Sequence, residues 1–580
     1  MIKNIYRILT LLSFFLLMYD LGFDQNIRQE QVLLWGYFFS TLLFTAFEAY
    51  RIIAPGEATN FLNQLRLTLP VATFVITTIT WLKEGVSIPS AIRQFENLFL
   101  LNVLLLVVFE LTFYIRKLYA SFFSPAVLFV GSFLFVIGVG TFLLMLPNAT
   151  TTGGIRFVDA LFTATSAVSV TGLAVTDTGT TFTHMGHIIL LVLIQLGGLG
   201  MLTFTSFFAY FFKGSSSFQE DLHLKDFLSS EQLSGLLELS LKIVGFTLVL
   251  ELGGAAFIFF NLPGEVFKNT EEQIFFSIFH AVSAFCNAGF STLANGFYEA
   301  PFRFSYNIHL TIALLLVIGG LGFSIFFNVF GYLPRKIESW YARFVLHVPK
   351  YYKTVRMFSL NTKIVVVTSA ALMVFGTAVF WVLERNNTLL EHTTVWGKFV
   401  TSFFGAVTPR TAGFNTVNMA ELAMPTVMIT ILLMWIGASP ASTGGGIKTS
   451  TFALATLNIF STATGKNRIE LGSREVPPNS VDRAFAIISL SLIIIGIGIL
   501  LVSTAEPQMG FLDIAFEVFS SYSTVGLSLG ITPKLSDFSK YVLIVVMFIG
   551  RVGALNILIG MLRQVKSLPY RYPQESVIIN

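Results

Sequence analysis

Four short segments of the chain end in a glycine and share a pattern of residues around it. They read S-V-T-G-L, C-N-A-G-F, R-T-A-G-F and S-T-V-G-L, and their glycines are Gly172, Gly289, Gly413 and Gly526. Ten residues before each glycine stands a phenylalanine: Phe162, Phe279, Phe403 and Phe516. Glycine adopts irregular backbone conformations at little cost, and a membrane tolerates such backbone only where it is buried in protein or lines a water-filled path. We interpret the segments as four pore loops of one ion pathway.

Such loops can bind a cation through their backbone carbonyl oxygens. Carbonyls that face inward can replace the hydration shell of a cation without burying a fixed charge. The predicted ion-binding filter is the three residues that end at each glycine: Val170, Thr171, Gly172, Asn287, Ala288, Gly289, Thr411, Ala412, Gly413, Thr524, Val525 and Gly526. None of these is Asp or Glu, which argues against a calcium-style carboxylate ring. The apolar helix before each glycine points its negative end at the pathway and favours a cation.

Composition places these loops in a membrane. The 580 residues are 54% hydrophobic and 12% charged, with a mean hydropathy of +0.75, and many apolar runs approach the length that crosses a bilayer. The net charge of +4 gives no support to a nucleic-acid partner. The single cysteine, Cys286, excludes an internal disulfide framework and a cysteine metal cluster. The sequence shows no cluster of His, Asp and Glu and no nucleophile beside a base, so it gives no support to an enzyme.

The elements that position the loops repeat four times. Each repeat has a span, a short pore helix, a glycine loop and a second span, which gives 125–146, 157–168 and 187–212, then 237–260, 274–285 and 308–330, then 364–382, 396–407 and 426–460, then 484–502, 512–522 and 541–562. Four further apolar segments precede them at 5–21, 32–47, 67–81 and 97–114. The predicted fold is therefore an all-α polytopic membrane protein with four such repeats around one central pore, about twelve spans in all.

The predicted domain boundaries follow from this pattern. Residues 1–123 form an N-terminal transmembrane extension, 124–235, 236–362, 363–481 and 482–562 are the four pore repeats, and 563–580 are a cytoplasmic tail. Lysine and arginine collect between 335 and 363, which predicts that this segment is cytoplasmic. Counting spans from there puts both termini in the cytoplasm and makes all four loops enter from outside. The expected location is the cell (inner) membrane.

The second span of the third repeat contains a sequence that cannot stay helical. It runs G-A-S-P-A-S-T-G-G-G-I-K, with Gly444, Gly445 and Gly446 in a row and Lys448 at its end. We predict a flexible gate beneath the filter, with Lys448 facing water or a carbonyl cluster because a lysine in a span is costly. Arg551 lies within the last span, where it either gates the pore electrostatically or clamps the loop; the residues leave both open. Arg410, beside the third loop, is expected to point away and brace that loop.

These motifs resemble the membrane subunit of Ktr-type potassium uptake systems, within the Trk/Ktr/HKT superfamily. The four loops, A-S-P-A-S-T-G-G-G-I-K-T, Arg551 and the ending Y-R-Y-P-Q-E-S-V-I-I-N carry the resemblance, which covers about 124–580. It implies potassium at the filter residues, a gate loop in the third repeat with Arg551 as its counterpart, and often sodium-stimulated uptake. Gly172 favours potassium, since a serine there goes with sodium selectivity in the superfamily.

The resemblance also implies an assembly. Two copies of the membrane subunit rest on a cytoplasmic ring of nucleotide-binding regulatory subunits, so a nucleotide would act only through that partner. The four N-terminal segments exceed what Ktr-type subunits carry, which leaves this geometry open. Two rivals remain: a relative that also transports sodium, and an alternating-access secondary transporter. The second would want paired carboxylates and inverted repeats, whereas these repeats share one orientation.

Overall fold

Helices make up nearly all the regular structure of the computed structural model, which describes residues 2–53, 61–84, 93–105, 107, 125–199, 236–263, 266–330, 359–466, 468–471 and 474–561. The exception among these residues is a small antiparallel hairpin of β1 (Glu470–Leu471) and β2 (Arg474–Glu475). Within the described part of the chain, the all-helical fold predicted from the sequence is confirmed.

The N-terminal extension forms helices at the described parts of the four predicted apolar segments: α1 (Ile2–Gly22), α2 (Ile27–Ile53), α3 (Phe61–Glu84) and α4 (Glu96–Leu105). Residues 108–114 of the fourth segment lie outside the described residues. A core that includes Leu17, Leu34, Tyr37 and Phe99 holds them together. The end of α1 touches the next part of the chain, because a Cβ added at Gly22 would overlap the Leu146 side chain. The extension is therefore packed against the helices that follow.

From residue 125 onward a longer helix, a short helix and a following helix recur four times. They are α5 (Pro125–Leu144), α6 (Phe157–Val168) and α7 (His184–Leu199); α8 (Leu236–Phe260), α9 (Thr270–Phe285) and α10 (Tyr306–Leu321) with α11 (Phe323–Phe330); α12 (Leu360–Glu384), α13 (Val395–Val407) and α14 (Met424–Trp435) with α15 (Thr449–Ala463); α16 (Pro478–Ala505), α17 (Phe511–Tyr522) and α18 (Asp537–Val552) with α19 (Ala554–Met561). Short helical turns lie at Pro147–Ala149, Thr178–Thr181, Gly296–Tyr298, Thr388–Glu391, Met419–Glu421 and Thr532–Lys534.

Packing between these groups closes into a ring. The helix after each glycine loop packs against the short helix of the next group: α7 against α9, α10 against α13, and α14 against α17. The last one, α18, packs against α6 of the first group. The four short helices are therefore brought around a common centre, and each ends at its predicted residue, namely Val168, Phe285, Val407 and Tyr522.

Besides the break predicted in the third repeat, two of the predicted second spans are not continuous. The predicted helix 308–330 bends by 97° between α10 and α11, at Gly322, where φ is +87°. A Cβ at Gly322 would meet the carbonyl oxygens of Pro440 and Ala441, so only glycine fits this close approach. The predicted helix 541–562 is likewise divided at Gly553, where φ is +88°. At Gly322 the break coincides with a contact to a distant part of the chain.

Three described helices are long and apolar enough to cross a membrane as single spans: Leu241–Phe260, Leu360–Glu384 and Pro478–Ala505. The bent pair α10 and α11 makes a fourth if it counts as one span, and the other apolar helices are shorter. The figure of about twelve spans stays a prediction. Most of the basic residues behind the predicted orientation, and the tail 563–580, lie outside the described residues.

Candidate functional site

The four predicted glycines lie next to one another at the centre of the ring of short helices. All have left-handed backbone, with φ of +89° at Gly172, +70° at Gly289, +77° at Gly413 and +91° at Gly526. A Cβ added to any of them would come closer than 3.0 Å to the carbonyl oxygen just before the next glycine, in the order Ala288, Ala412, Val525 and Thr171. This contact pattern closes on itself, so the glycine loops (170–172, 287–289, 411–413 and 524–526) form one ring.

A second left-handed residue stands two positions before each glycine. The φ angles are +57° at Val170, +60° at Asn287, +69° at Thr411 and +50° at Thr524. Three of the four residues are β-branched, for which this conformation is a genuine outlier. Strain of this kind costs on the order of 1–3 kcal/mol for each residue and persists only where the surroundings enforce it. The loops are therefore held in a particular shape.

Hydrogen bonds to the short helices fix the direction of the loop carbonyls. In each loop the N–H of the middle residue donates to the end of its own short helix or, in the third loop, to the C-cap residue that follows it: Thr171 to Ser166 O at 2.8 Å, Ala288 to Ser283 O at 2.7 Å, Ala412 to Thr408 O at 3.0 Å and Val525 to Ser520 O at 2.9 Å. A trans peptide points its carbonyl opposite to its N–H. The carbonyls of Val170, Asn287, Thr411 and Thr524 consequently point away from the helices. Such an arrangement can offer oxygen ligands to a cation.

A second glycine mark follows each loop glycine by 24 to 30 residues, and reads L-G-G-L-G, I-G-G-L-G, I-G-A-S-P and I-G-R-V-G. Small residues let helices approach closely in lipid, which predicts a packing role for the first two copies. The first glycine of the mark in α7, α10 and α18 (Gly197, Gly319 and Gly550) lies against the last carbonyl of the preceding short helix, which belongs to Val168, Phe285 and Tyr522. A Cβ at each glycine would lie closer than 3.0 Å to that oxygen. These glycines let the helices approach the ends of the short helices, which agrees with the packing role predicted for the first two.

Residues 436–448 leave the helix as predicted, between the end of α14 at Trp435 and the start of α15 at Thr449. We call them the glycine-rich segment. Its two ends are joined, because Gly437 N–H donates to Ile447 O at 2.9 Å and Thr449 N–H donates to Ala438 O at 3.2 Å. The segment is therefore a closed loop with a defined shape.

The tip of the glycine-rich segment lies against the glycine loops. Gly445 N–H donates to Thr524 Oγ1 at 3.1 Å, and a Cβ added at Gly444 would overlap Thr411. On the opposite side Ser439 N–H donates to Gly320 O of α10 at 3.0 Å. Thr443 Oγ1 donates to Phe285 O, at the end of α9, at 3.4 Å. The segment thus contacts parts of the second, third and fourth helix groups.

Two basic side chains hold this segment. Arg551 is 1% exposed and donates to Thr443 O, and its other terminal nitrogen donates to Gly197 O of α7 at 2.6 Å. Lys448 Nζ donates to Gly444 O at 2.6 Å, which is the carbonyl partner expected from the sequence. Arg551 therefore makes the contacts of a clamp, and these contacts run from α18 to both the glycine-rich segment and α7.

Arg410 points away from the ring of glycines, as the sequence predicts. Its Nη2 donates to Ser369 Oγ of α12 at 3.1 Å. Its Nη1 donates to the backbone carbonyl of the same serine at 3.5 Å. The guanidinium braces the third loop from outside.

Sequence reasoning missed the contacts of several charged residues around the ring. Lys540 Nζ lies 2.7 Å from Asp159 Oδ1, so the start of α18 is tied to α6, and Arg156 adds a second ion pair to Asp159 at 2.9 Å. Glu251 lies within the apolar helix α8 and contacts Gln195. The rule that singles out a charge inside a span would have found Glu251. Lys540 and Asp159 carry no local signal of their pairing.

Fold and apolar helices define a multi-pass membrane protein, and comparison with known proteins gives its family. The family model TrkH, described as cation transport protein, matches residues 98–568, and the chain belongs to this family. The match begins after most of the N-terminal extension, where the sequence departs from the Ktr-type pattern. The resemblance stated from the motifs is confirmed.

Named relatives cover most of the chain. Ktr system potassium uptake protein B of Vibrio alginolyticus is 36% identical over 451 residues, which are 77% of this chain and 93% of that protein. The protein of the same name from Bacillus subtilis is 35% identical over 460 residues, 79% of this chain and 97% of that protein. Potassium/sodium uptake protein NtpJ of Enterococcus hirae is 33% identical over 464 residues, with the same coverage. These names are those of transporters, so the prediction that the chain is not an enzyme is confirmed.

A solved structure shares the fold. The crystal structure of the potassium transporter TrkH from Vibrio parahaemolyticus matches with a TM-score of 0.59 and 20% sequence identity, over 86% of this chain and 97% of that chain. At this identity the match concerns the fold alone.

Proposed function

We propose that the protein is a gated, potassium-selective uptake pore in the cell membrane, and that the ring of glycine loops is its filter. The observation that carries this proposal is the closed ring of four left-handed glycines, with carbonyls turned away from the short helices. Three relatives that are at least 33% identical are named potassium or potassium/sodium uptake proteins. The membrane potential drives the cation inward.

The filter works by substituting for water. Carbonyls of Val170, Asn287, Thr411 and Thr524, with those of the following residues, take the place of hydration oxygens around a dehydrated potassium ion. The four short helices end beside the ring, and the negative ends of their dipoles stabilise a cation there. The twelve filter residues include no carboxylate, so the site binds weakly enough for ions to leave it.

The glycine-rich segment is the proposed gate. It lies against Thr411 and Thr524 of the filter and is tethered by Arg551 through Thr443 O. In this position it blocks the path on the inner side of the filter, and Arg551 adds positive charge next to that path. Opening requires the segment to leave Thr524 and Arg551. We propose that a cytoplasmic ring of nucleotide-binding regulatory subunits controls this step in a homodimer of the chain, with both termini in the cytoplasm.

Sodium is the second candidate ion, because the name of NtpJ includes it and that relative is 33% identical to this chain. Rubidium uptake in cells that lack their own potassium uptake tests both ions, with the native chain compared with Gly172→Ser in the presence of competing sodium. A Cβ at Gly172 overlaps Ala288 O and needs a left-handed backbone, so the serine variant should distort the ring and admit sodium. If sodium inhibits rubidium uptake by the native chain as strongly as it inhibits uptake by Gly172→Ser, the result contradicts potassium selectivity. No uptake at all would remove the pore proposal.

A further inference from the structure

Glu251 is an acidic side chain inside an apolar helix. It lies in the stretch Leu241–Phe260 of α8, which is apolar enough to cross a membrane, and is 4% exposed. In the described part of the chain, no lysine or arginine forms an ion pair with it. An ionisable residue at such a place is expensive, and those that occur mark functional positions.

The partners of Glu251 come from two other helices. Gln195 Nε2 of α7 donates to Glu251 Oε2 at 3.1 Å. The thiol of Cys286 lies 3.8 Å from Glu251 Oε1 and 3.7 Å from Gln195 Oε1, so it sits between two acceptor oxygens. Cys286 is fully buried. A carboxyl, an amide and a thiol therefore form one hydrogen-bonded cluster where α7, α8 and the end of α9 meet.

This cluster lies directly behind the second glycine loop. Cys286 follows the last residue of α9 and precedes Asn287, the first residue of that loop. Gly198 permits the contact from the other side, since a Cβ there would come closer than 3.0 Å to Cys286 Sγ. The backbone of loop 287–289 is thus held at its start by groups from two neighbouring helices.

The cluster is also joined to the proposed gate. Gln195 stands two residues before Gly197, whose carbonyl accepts from Arg551. Phe285, next to Cys286, accepts from Thr443 of the glycine-rich segment. A shift of α7 or of the loop at this point would change both the filter and the contacts of the gate.

We propose that Glu251 is a positioning residue for the filter, acting with Gln195 through Cys286 to fix the backbone of 287–289. The inference rests on the proposed function and extends it to a residue outside the pathway. The consequence is that discrimination between potassium and sodium depends on a side chain that touches no ion. Its carboxyl works as a hydrogen-bonding group, so an amide of the same shape can replace it: the amide oxygen accepts from Gln195, the amide nitrogen donates to Cys286 Sγ, and the thiol donates to Gln195 Oε1 instead.

The experiment measures rubidium uptake and its inhibition by sodium in proteoliposomes, for the native chain and for Glu251→Gln, Glu251→Leu and Gln195→Leu. Loss of the brace should lower the rubidium-to-sodium discrimination of the two leucine variants roughly five- to tenfold, the range expected when a buried hydrogen bond is lost. Glu251→Gln should retain the native discrimination. The double leucine variant should be no worse than either single one, because both remove the same interaction.

The matched control is Thr247→Val, one turn away on α8. Thr247 is fully buried, and its hydroxyl has no hydrogen-bond partner among the described residues, so valine should leave discrimination unchanged. Folded leucine variants with native discrimination would overturn the inference and leave Glu251 a packing residue. Loss of discrimination in Glu251→Gln would also overturn it, because a charge rather than a hydrogen bond would then be needed. A native chain that takes up no rubidium would instead remove the proposed function, which separates the two failures.

Should a single leucine variant fail to fold, the double leucine variant still decides the question, since it replaces both polar partners and leaves no buried carboxyl facing an apolar side chain. The amount of monodisperse protein on size-exclusion chromatography identifies a folding defect, whereas an inhibition ratio for sodium does not depend on the amount of protein.

Discussion

Replacement of Thr524 by valine should open the pore without disturbing the fold. Thr524 Oγ1 accepts from Gly445 N–H at 3.1 Å, and Thr524 is fully buried. Valine keeps the shape and the β-branch but leaves this N–H without a partner while the glycine-rich segment is in place. A lost hydrogen bond in a buried site costs about 1–2 kcal/mol, and each 1.4 kcal/mol is about a factor of ten in an equilibrium. The ratio of closed to open pores should therefore fall roughly 5- to 30-fold.

The assay is the initial rate of rubidium uptake into liposomes loaded with potassium, where a mostly closed pore conducts in proportion to its open fraction. Thr141→Val is the control, because it removes a buried hydroxyl that donates to Ile137 O at 2.7 Å within α5, away from the glycine-rich segment. The uptake rate should rise in Thr524→Val, stay native in the control, and return towards native in Thr524→Ser, which keeps the hydroxyl. A native rate in a folded Thr524→Val protein would refute the gate contact derived from this hydrogen bond.

Two further changes test the contacts around the ring. Arg551→Gln removes the charged donor to Thr443 O and Gly197 O. Because such hydrogen bonds contribute about 1.5–3 kcal/mol, basal rubidium uptake should rise at least about tenfold. Unfolded protein with no gain in uptake would favour a purely structural clamp. Lys540→Met removes the 2.7 Å partner of Asp159 and leaves Arg156 as its remaining ion-pair partner, so thermal unfolding in detergent should show a loss of about 1.5–3 kcal/mol. Adding Asp159→Asn to Lys540→Met should recover part of that loss, and a double variant as unstable as the single one would argue against the ion pair.

The local parts of the site could be predicted from the sequence. A short apolar run followed by a small-residue turn determines where a helix ends, so the ends at Val168, Phe285, Val407 and Tyr522 were predicted correctly. The break after Trp435 followed from Pro440 and three consecutive glycines, which no helix accommodates. These signals lie within a few residues of the structure that they determine.

The remaining features depend on contacts between distant parts of the chain. Gly322 stands in an apolar run that continues on both sides, and the bend there lies against Pro440 and Ala441, more than 100 residues further along the chain. Glu251 meets Gln195 and Cys286 across 56 and 35 residues, so no local pattern announces the cluster. The orientation in the membrane rests mostly on segments outside the described residues and stays a prediction.

The ring of glycine loops is built by one chain, and this bears on how such a site can change over time. In an assembly of four identical subunits every substitution appears four times around the axis, so an arginine at the position of Arg551 would place four buried positive charges beside one narrow path. In this chain Arg551 belongs to the fourth repeat, and the glycine-rich segment belongs to the third. Repeats within one chain can therefore diverge one at a time. Each can acquire a different structural role while the other three keep the geometry of the ring.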